Sequence, residues 1–155
     1  MRFDGGMRNE SGADTCILVF AGNGLPAARR KHGRNHRLDR GTLRGRRGDR
    51  AVNDLIGKIP LFGICLGHQI LSLACGLSVS KLNFGHHGSN HPVKVTGIKN
   101  ALITSQNHGF SVDFKDLKQE HSKYGSIEQY AVNLNDGSNE GISIWDSNAY
   151  SVQFQ

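Results

Sequence analysis

Gly63-Ile64-Cys65-Leu66-Gly67 sets a thiol between two glycines, the cysteine version of the Gly-x-Ser-x-Gly nucleophile elbow. A sharp turn of that kind brings backbone so close together that side chains at Gly63 and Gly67 clash, which leaves the central residue strained with its side chain exposed. Cys65 is the candidate catalytic nucleophile. A sulfur at the start of a helix sits near partial positive charge that favours the thiolate, and the backbone N–H of Leu66 is placed to hold a developing oxyanion. Such a thiolate attacks an acyl carbon. The other two thiols, Cys16 and Cys75, lack this framing and read as inert packing residues.

Cleaving an amide also needs an acid to protonate the departing nitrogen, and histidine is its usual source. Of eight histidines, His32 and His36 lie in a basic tract and His121 in a polar stretch. His68 follows Cys65 by three residues, but an elbow side chain points away from its own helix, so His68 is expected to pack or cap locally. His86, His87 and His91 cluster with Gly85 and Gly88, yet the spacing is not a standard zinc pattern, and no cysteine or carboxylate accompanies it at ligand spacing. A hydrogen-bonded structural role is expected there, with no metal. Gln106-Asn107-His108-Gly109-Phe110 directly follows an apolar run, at the kind of strand end where open α/β sheets collect ligands. It reads as a substrate-binding loop.

The elements that must position these groups follow from periodicity. Residues 59–64 are a short apolar run, as in a strand buried on both faces. Leu66, Ile70, Leu73 and Leu77 then recur at helical spacing, and Gly76 is suited to end the helix. Runs at 101–104, 130–134, 141–145 and 150–154 are β-branched or aromatic and read as strands. Asn135-Asp136-Gly137-Ser138-Asn139 is a turn between two of them, so residues 130–145 should pair antiparallel. The fold class is α/β, a mostly parallel sheet with helices plus an antiparallel strand pair.

At 155 residues, with 37% hydrophobic and 21% charged, the chain is about one domain's worth. No apolar run approaches the ~18 residues of a membrane span, and no hydrophobic leader follows the N-terminus. A cytoplasmic protein with no membrane partner is expected. Three cysteines are too few and too odd for a disulfide framework.

The net charge of +6 is unevenly placed: residues 29–50 hold nine arginines and Lys31 against Asp39 and Asp49, a net of +8 that leaves −2 for the rest. No arginine follows Arg50, whereas seven of eight lysines do. Leu25, Leu38 and Leu43 are too few to offset ~1–2 kcal/mol of backbone entropy per residue, so residues 21–50 are expected to be loop or disorder. The tract could neutralise nucleic-acid phosphates, but without aromatic groups to stack on bases it reads better as a solvated insertion. The chain therefore divides into a divergent 1–50 and a second unit over 51–155.

Phe62-Gly63-Ile64-Cys65-Leu66-Gly67-His68-Gln69 resembles the nucleophile motif of class I (triad) glutamine amidotransferases. Phe84-Gly85-His86-His87-Gly88-Ser89-Asn90-His91-Pro92-Val93, with the Gln106 to Phe110 loop, narrows the resemblance to the small, glutamine-hydrolysing subunit of carbamoyl-phosphate synthase. The resemblance implies that Cys65 attacks the side-chain amide of glutamine, forms a glutamyl thioester and releases ammonia to a large synthetase subunit that makes carbamoyl phosphate. It implies that Leu66, Gln69, Asn107, Gly109 and Phe110 contact glutamine, and that ATP chemistry lies on the large partner, so no cofactor is expected here. Two departures stand out. The family's catalytic His-Pro-Glu motif follows a strand resembling residues 150–155, where this chain stops; this implies a domain incomplete at its C-terminus and impaired in turnover. The family's Asn-Gly-Pro-Gly-Asp-Pro loop is matched at best by Gly22-Asn23-Gly24-Leu25-Pro26, and its N-terminal domain has no counterpart. Two other readings remain: a non-catalytic fragment or pseudo-enzyme docked on the large subunit, and a nucleic-acid binder acting through residues 29–50.

Overall fold

Alternation in Leu61–Cys65 sets the plan of the molecule, because Leu61, Gly63 and Cys65 are buried while Phe62 and Ile64 are only half-buried. The computed structural model describes residues 7–8, 14–20, 48–114 and 121–155. In chain order the strands are β1 (Met7–Arg8), β2 (Asp14–Phe20), β3 (Leu61–Cys65), β4 (Ser78–Val95), β5 (Leu102–Asp113), β6 (His121–Ser122), β7 (Gly125–Ser126), β8 (Glu128–Asn133), β9 (Asn139–Ile144) and β10 (Ala149–Val152). Helix α1 is Gly48–Leu55 and helix α2 is Leu66–Ala74. Eight strands form one sheet in the order β1-β2-β3-β10-β9-β8-β4-β5, and β6 and β7 make a separate ribbon.

The sheet is mixed. β3 lies between β2 and β10 and runs parallel to both. The antiparallel part reaches further than the one strand pair expected: β1/β2, β10/β9, β9/β8, β8/β4 and β4/β5 all pair that way. Chain connectivity is the reason, since short links such as residues 134–138 and 96–101 can only join antiparallel neighbours. The turn at 134–138 closes as its composition predicts, with Gly137 N–H donating to Asn133 O at 2.9 Å and Asn133 N–H donating to Ser138 O at 3.0 Å.

Helix α2 ends where its sequence says it should. Gly76 takes φ +92°, Leu77 N–H donates to Ser72 O and Gly76 N–H donates to Leu73 O, each at 3.0 Å, which is the paired closure of a Schellman motif. Leu71 and Leu77 then join Val52 and Ile56 of the α1 segment, Val79 and Val112 of the hairpin, and Ile142 and Ile144 of β9 in one core between helices and sheet. Six consecutive residues of β9 are buried, placing that strand at the centre.

Three elements depart from the sequence reading. Residues 106–110, read as a substrate-binding loop, lie inside strand β5, because its pairing with β4 continues through Gln106, Asn107, His108 and Phe110. The loop or disorder expected at 21–50 lies outside the described residues as far as 47, and residues 48–50 are the opening of α1. Residues 78–95, read only as a histidine cluster, form the longest described strand; register shifts between Lys81 and His86 and between Gly88 and His91 break the alternation that would have revealed it. Among the described residues no helix is long and apolar enough to cross a membrane.

Candidate active site

The strand-to-helix switch at Cys65 has the conformation an elbow requires. Cys65 sits at φ +54°, ψ −105°, one of two non-glycine residues with positive φ among those described. A non-glycine side chain there costs on the order of 1–3 kcal/mol and persists only when the surroundings impose it. They do so at Gly63. A Cβ on that residue would lie 2.7 Å from both C and O of Gly67 and 3.0 Å from His68 N, so the first turn of α2 rests directly on β3.

Cys65 is less open than an elbow alone predicts, with only 8% of the residue exposed. Its sulfur lies under the side chain of Gln153, whose Nε2 donates to Sγ at 3.7 Å. Gln153 Oε1 in turn accepts from Gln69 Nε2 at 3.1 Å, and the same Gln69 nitrogen donates to Phe110 O at 3.2 Å. The elbow helix, the residue that follows β10 and the stretch of β5 expected to bind substrate therefore meet at Gln69.

Of the residues expected to contact glutamine, the structure joins Gln69 and Phe110 by that bond. Gln69 is buried with its amide nitrogen engaged inside the protein, and among the described residues its Oε1 has no hydrogen-bond partner. Leu66 is half-buried beside Cys65, Asn107 is exposed and bonded to His87 at 3.0 Å, and Gly109 has no heavy atom within 4 Å of where a Cβ would stand. Asn107 and Gly109 are not hydrogen-bonded to the elbow among the described residues.

The histidines divide by burial. His68 is fully buried and bonded through Nδ1 to Ser151 Oγ at 2.9 Å, the local packing role expected of it. His86 carries more than its spacing along the chain showed, because the sheet brings it two carboxylates: Asp136 Oδ2 at 2.8 Å and Glu140 Oε1 at 3.6 Å. His108 lies 2.8 Å from Phe110 O and 2.7 Å from Gln106 Oε1, and Gln106 Nε2 donates to Glu140 Oε2 at 2.9 Å. Glu140 Oε1 accepts from Asn133 Nδ2 at 2.9 Å. His86, His108 and Glu140 bring ligand-capable atoms within 4.8 Å of one another; both Glu140 oxygens and both His108 nitrogens face protein partners, and His86 Nδ1 is buried with no hydrogen-bond partner among the described residues. Chemistry-bearing residues the sequence reading passed over are thus Gln153, which touches the sulfur, and Glu140. The signal for Gln153 was the period-2 pattern Ala149, Ser151, Gln153, which puts an amide on the buried face.

Burial governs the titration of this cluster. It pulls His68 down to about 3, helped by nearby His108 and opposed by Asn139, and it pulls His108 down to about 4 against the Phe110 carbonyl. It raises Glu140, against the hydrogen bonds from Gln106 and Asn133. The unfolded chain protonates its histidines near 6.5 while the folded chain does not, so their contribution is complete above that pH and is lost on acidification toward 4. Glu140 acts oppositely: its contribution is complete below 4.5 and is lost as pH rises through its folded value. Two histidines oppose one carboxyl, so urea midpoints should fall as pH drops from 6.5 to 4.5, with each histidine adding up to about 1.4 kcal/mol per pH unit. Glu140→Gln should steepen that slope, and midpoints flat across the window would refute the assignment.

Burial also raises the Cys75 thiol to about 12, against the pull of Lys123, which fits an inert packing residue. A hollow of about 420 Å³ lies at Phe62, Tyr130, Trp145 and Tyr150, on the sheet face turned away from α2, and the Cys65 side chain has no part in it. The residues singled out around Cys65 lie instead where α2 packs on the end of β10.

The profile described as Glutamine amidotransferase class-I matches residues 43–154. The carbamoyl phosphate synthase small chain of Bacillus caldolyticus is 46% identical over 103 residues, which cover 66% of this chain and 27% of that protein. That of Akkermansia muciniphila is 49% identical over 105 residues, covering 68% of this chain and 27% of that protein. The chain spans about a quarter of the length of these curated relatives. A glutamine amidotransferase from Thermotoga maritima, solved by crystallography, shares the fold at a TM-score of 0.55 and 22% identity, over 69% of this chain and 45% of that one. The matched span takes in the elbow, the long hairpin and β10 together, and by that measure the chain belongs to the class-I glutamine amidotransferase family.

Proposed function

We propose that this chain carries the nucleophile half of a glutamine-hydrolysing site of the carbamoyl phosphate synthase small-chain type. The observation that carries the reading is the strained Cys65, at φ +54° and wedged in place by contact between Gly63 and the backbone of Gly67. In this reaction the Cys65 thiolate adds to the side-chain amide carbon of glutamine, and the N–H of Leu66 holds the oxyanion. The C–N bond then breaks, the nitrogen leaves as ammonia after taking a proton from a general acid, and water hydrolyses the glutamyl thioester. Gln153 cannot supply that proton, since an amide is not an acid in this range, and no histidine is hydrogen-bonded to Cys65 among the described residues. The proton donor is therefore not among the described hydrogen-bond partners of Cys65, and the reading is tested on the reactivity of the Cys65 thiol itself.

Gly109 supports a ligand-binding role for its stretch of β5. Neither a left-handed φ nor a crowding neighbour among the described residues calls for glycine there, so the open space fits a molecule that approaches the backbone closely. Ammonia released at the site would pass to a large synthetase subunit, as the small-chain likeness over 103 to 105 residues suggests.

A chloroketone analogue of glutamine tests the reading. Peptide mass mapping should find Cys65 labelled at least about tenfold faster than Cys75, with glutamine protecting and Cys65→Ala leaving only background. Equal labelling of the two cysteines, or no protection by glutamine, overturns it.

A further inference from the structure

We propose that Gln153 is a positioning residue for Cys65: its side-chain N–H donates to the sulfur, holds it in one rotamer and favours the thiolate, and Gln69 fixes which end of that amide faces the sulfur. The orientation follows from one group that can only accept. Phe110 O is a backbone carbonyl, so the Gln69 atom 3.2 Å away must be its nitrogen. That nitrogen has a second hydrogen, and the Gln153 atom 3.1 Å away must therefore be oxygen. The opposite end of the Gln153 amide is then its nitrogen, and it faces Cys65 Sγ at 3.7 Å. Gln153 is wholly buried and Gln69 nearly so, with 0% and 5% exposed, so water does not offer either amide an alternative partner. A hydrogen bond to the charged form favours that form, and this one lasts only while the relay from Phe110 O through Gln69 is intact. The relay continues past Phe110, whose carbonyl also faces His108 Nδ1 at 2.8 Å.

The inference rests on Cys65 as the nucleophile, and its test is separable from that of glutamine hydrolysis because iodoacetamide needs no glutamine recognition. The probe is the pH profile of Cys65 alkylation by iodoacetamide in the full 155-residue chain, read site by site by mass spectrometry, with Cys75 as the internal reference. Gln153→Met keeps the shape and removes the donor, and should slow Cys65 alkylation about tenfold at neutral pH without changing Cys75. Gln69→Met leaves Gln153 in place but frees its amide to rotate, and should slow Cys65 by less. Circular dichroism and thermal midpoints establish which variants fold; if Gln153→Met does not, Gln69→Met decides. A folded variant whose Cys65 profile coincides with that of the parent chain overturns the assignment. Should Cys65 slow in this way while the glutamine analogue still labels Cys65 and Cys75 alike, Gln153 keeps its role and the glutaminase reading fails.

Discussion

Gly63→Ala should destabilise the chain by about 3 kcal/mol or more, and lower its thermal midpoint by roughly 6–12 °C. The added methyl would meet Gly67 C and O at 2.7 Å, and neither is the tip of a flexible side chain that could swing aside. The strand cannot retreat, because Gly63 is held in register with Ser151 on one side and Leu18 on the other. The helix cannot retreat either. His68 is tied to Ser151 Oγ at 2.9 Å, and Ser72 Oγ donates to His68 O at 2.8 Å. For a chain whose total stability is on the order of 5–15 kcal/mol, that loss is large. Gly109→Ala is the control. With no atom within 4 Å of the new methyl it should change stability by less than about 0.5 kcal/mol while slowing labelling of Cys65 by the glutamine analogue. Thermal melts of both variants decide the matter, and a Gly63→Ala protein that melts with the parent would show that the elbow does not need its glycine.

The same contact shows what was legible in the sequence. Two glycines around a cysteine, between an apolar run and a helical repeat, specify a local conformation almost completely, and φ +54° at Cys65 is the result. The end of α2 at Gly76 and the turn at 134–138 were legible for the same reason: each depends on residues within six positions of one another. The contents of the site were not. Gln153 lies 88 residues from Cys65 and 84 from Gln69, and only the parallel pairing of β3 with β10 brings them together. Strand β4 was hidden because glycines and histidines at 85–88 replace the alternation of a pleated strand. The buried state of Cys65 escaped as well, since an elbow predicts that its side chain projects but not that an amide from another strand will cover it.

Glu140 stands at the far end of the chain of contacts that reaches this covering. Its side chain is fully buried, and Gln106 Nε2 and Asn133 Nδ2 both donate to it at 2.9 Å, with His86 Nδ1 3.6 Å away. Glu140→Ala removes the acceptor and leaves one N–H of Asn133 and one of Gln106 without a partner in a buried site, although Gln106 Nε2 still donates to Thr104 Oγ1 at 3.1 Å, at a cost of about 2–4 kcal/mol. Glu140→Gln keeps one acceptor but turns an N–H₂ toward a group that also donates, and should cost about 1–3 kcal/mol. Urea titrations at pH 7 should therefore rank parent, Gln variant and Ala variant in falling order. Equal midpoints for the two variants would show that the hydrogen bonds contribute less than the volume they fill. The effect should also reach the sulfur. Gln106 held by Glu140 faces His108, His108 faces Phe110 O, and that carbonyl fixes Gln69 and, through it, Gln153. If this relay positions Cys65, Glu140→Gln should slow iodoacetamide alkylation of Cys65 at pH 7 while leaving Cys75 unchanged, even though the substitution lies on β9, Cys65 on β3 and Cys75 at the end of α2.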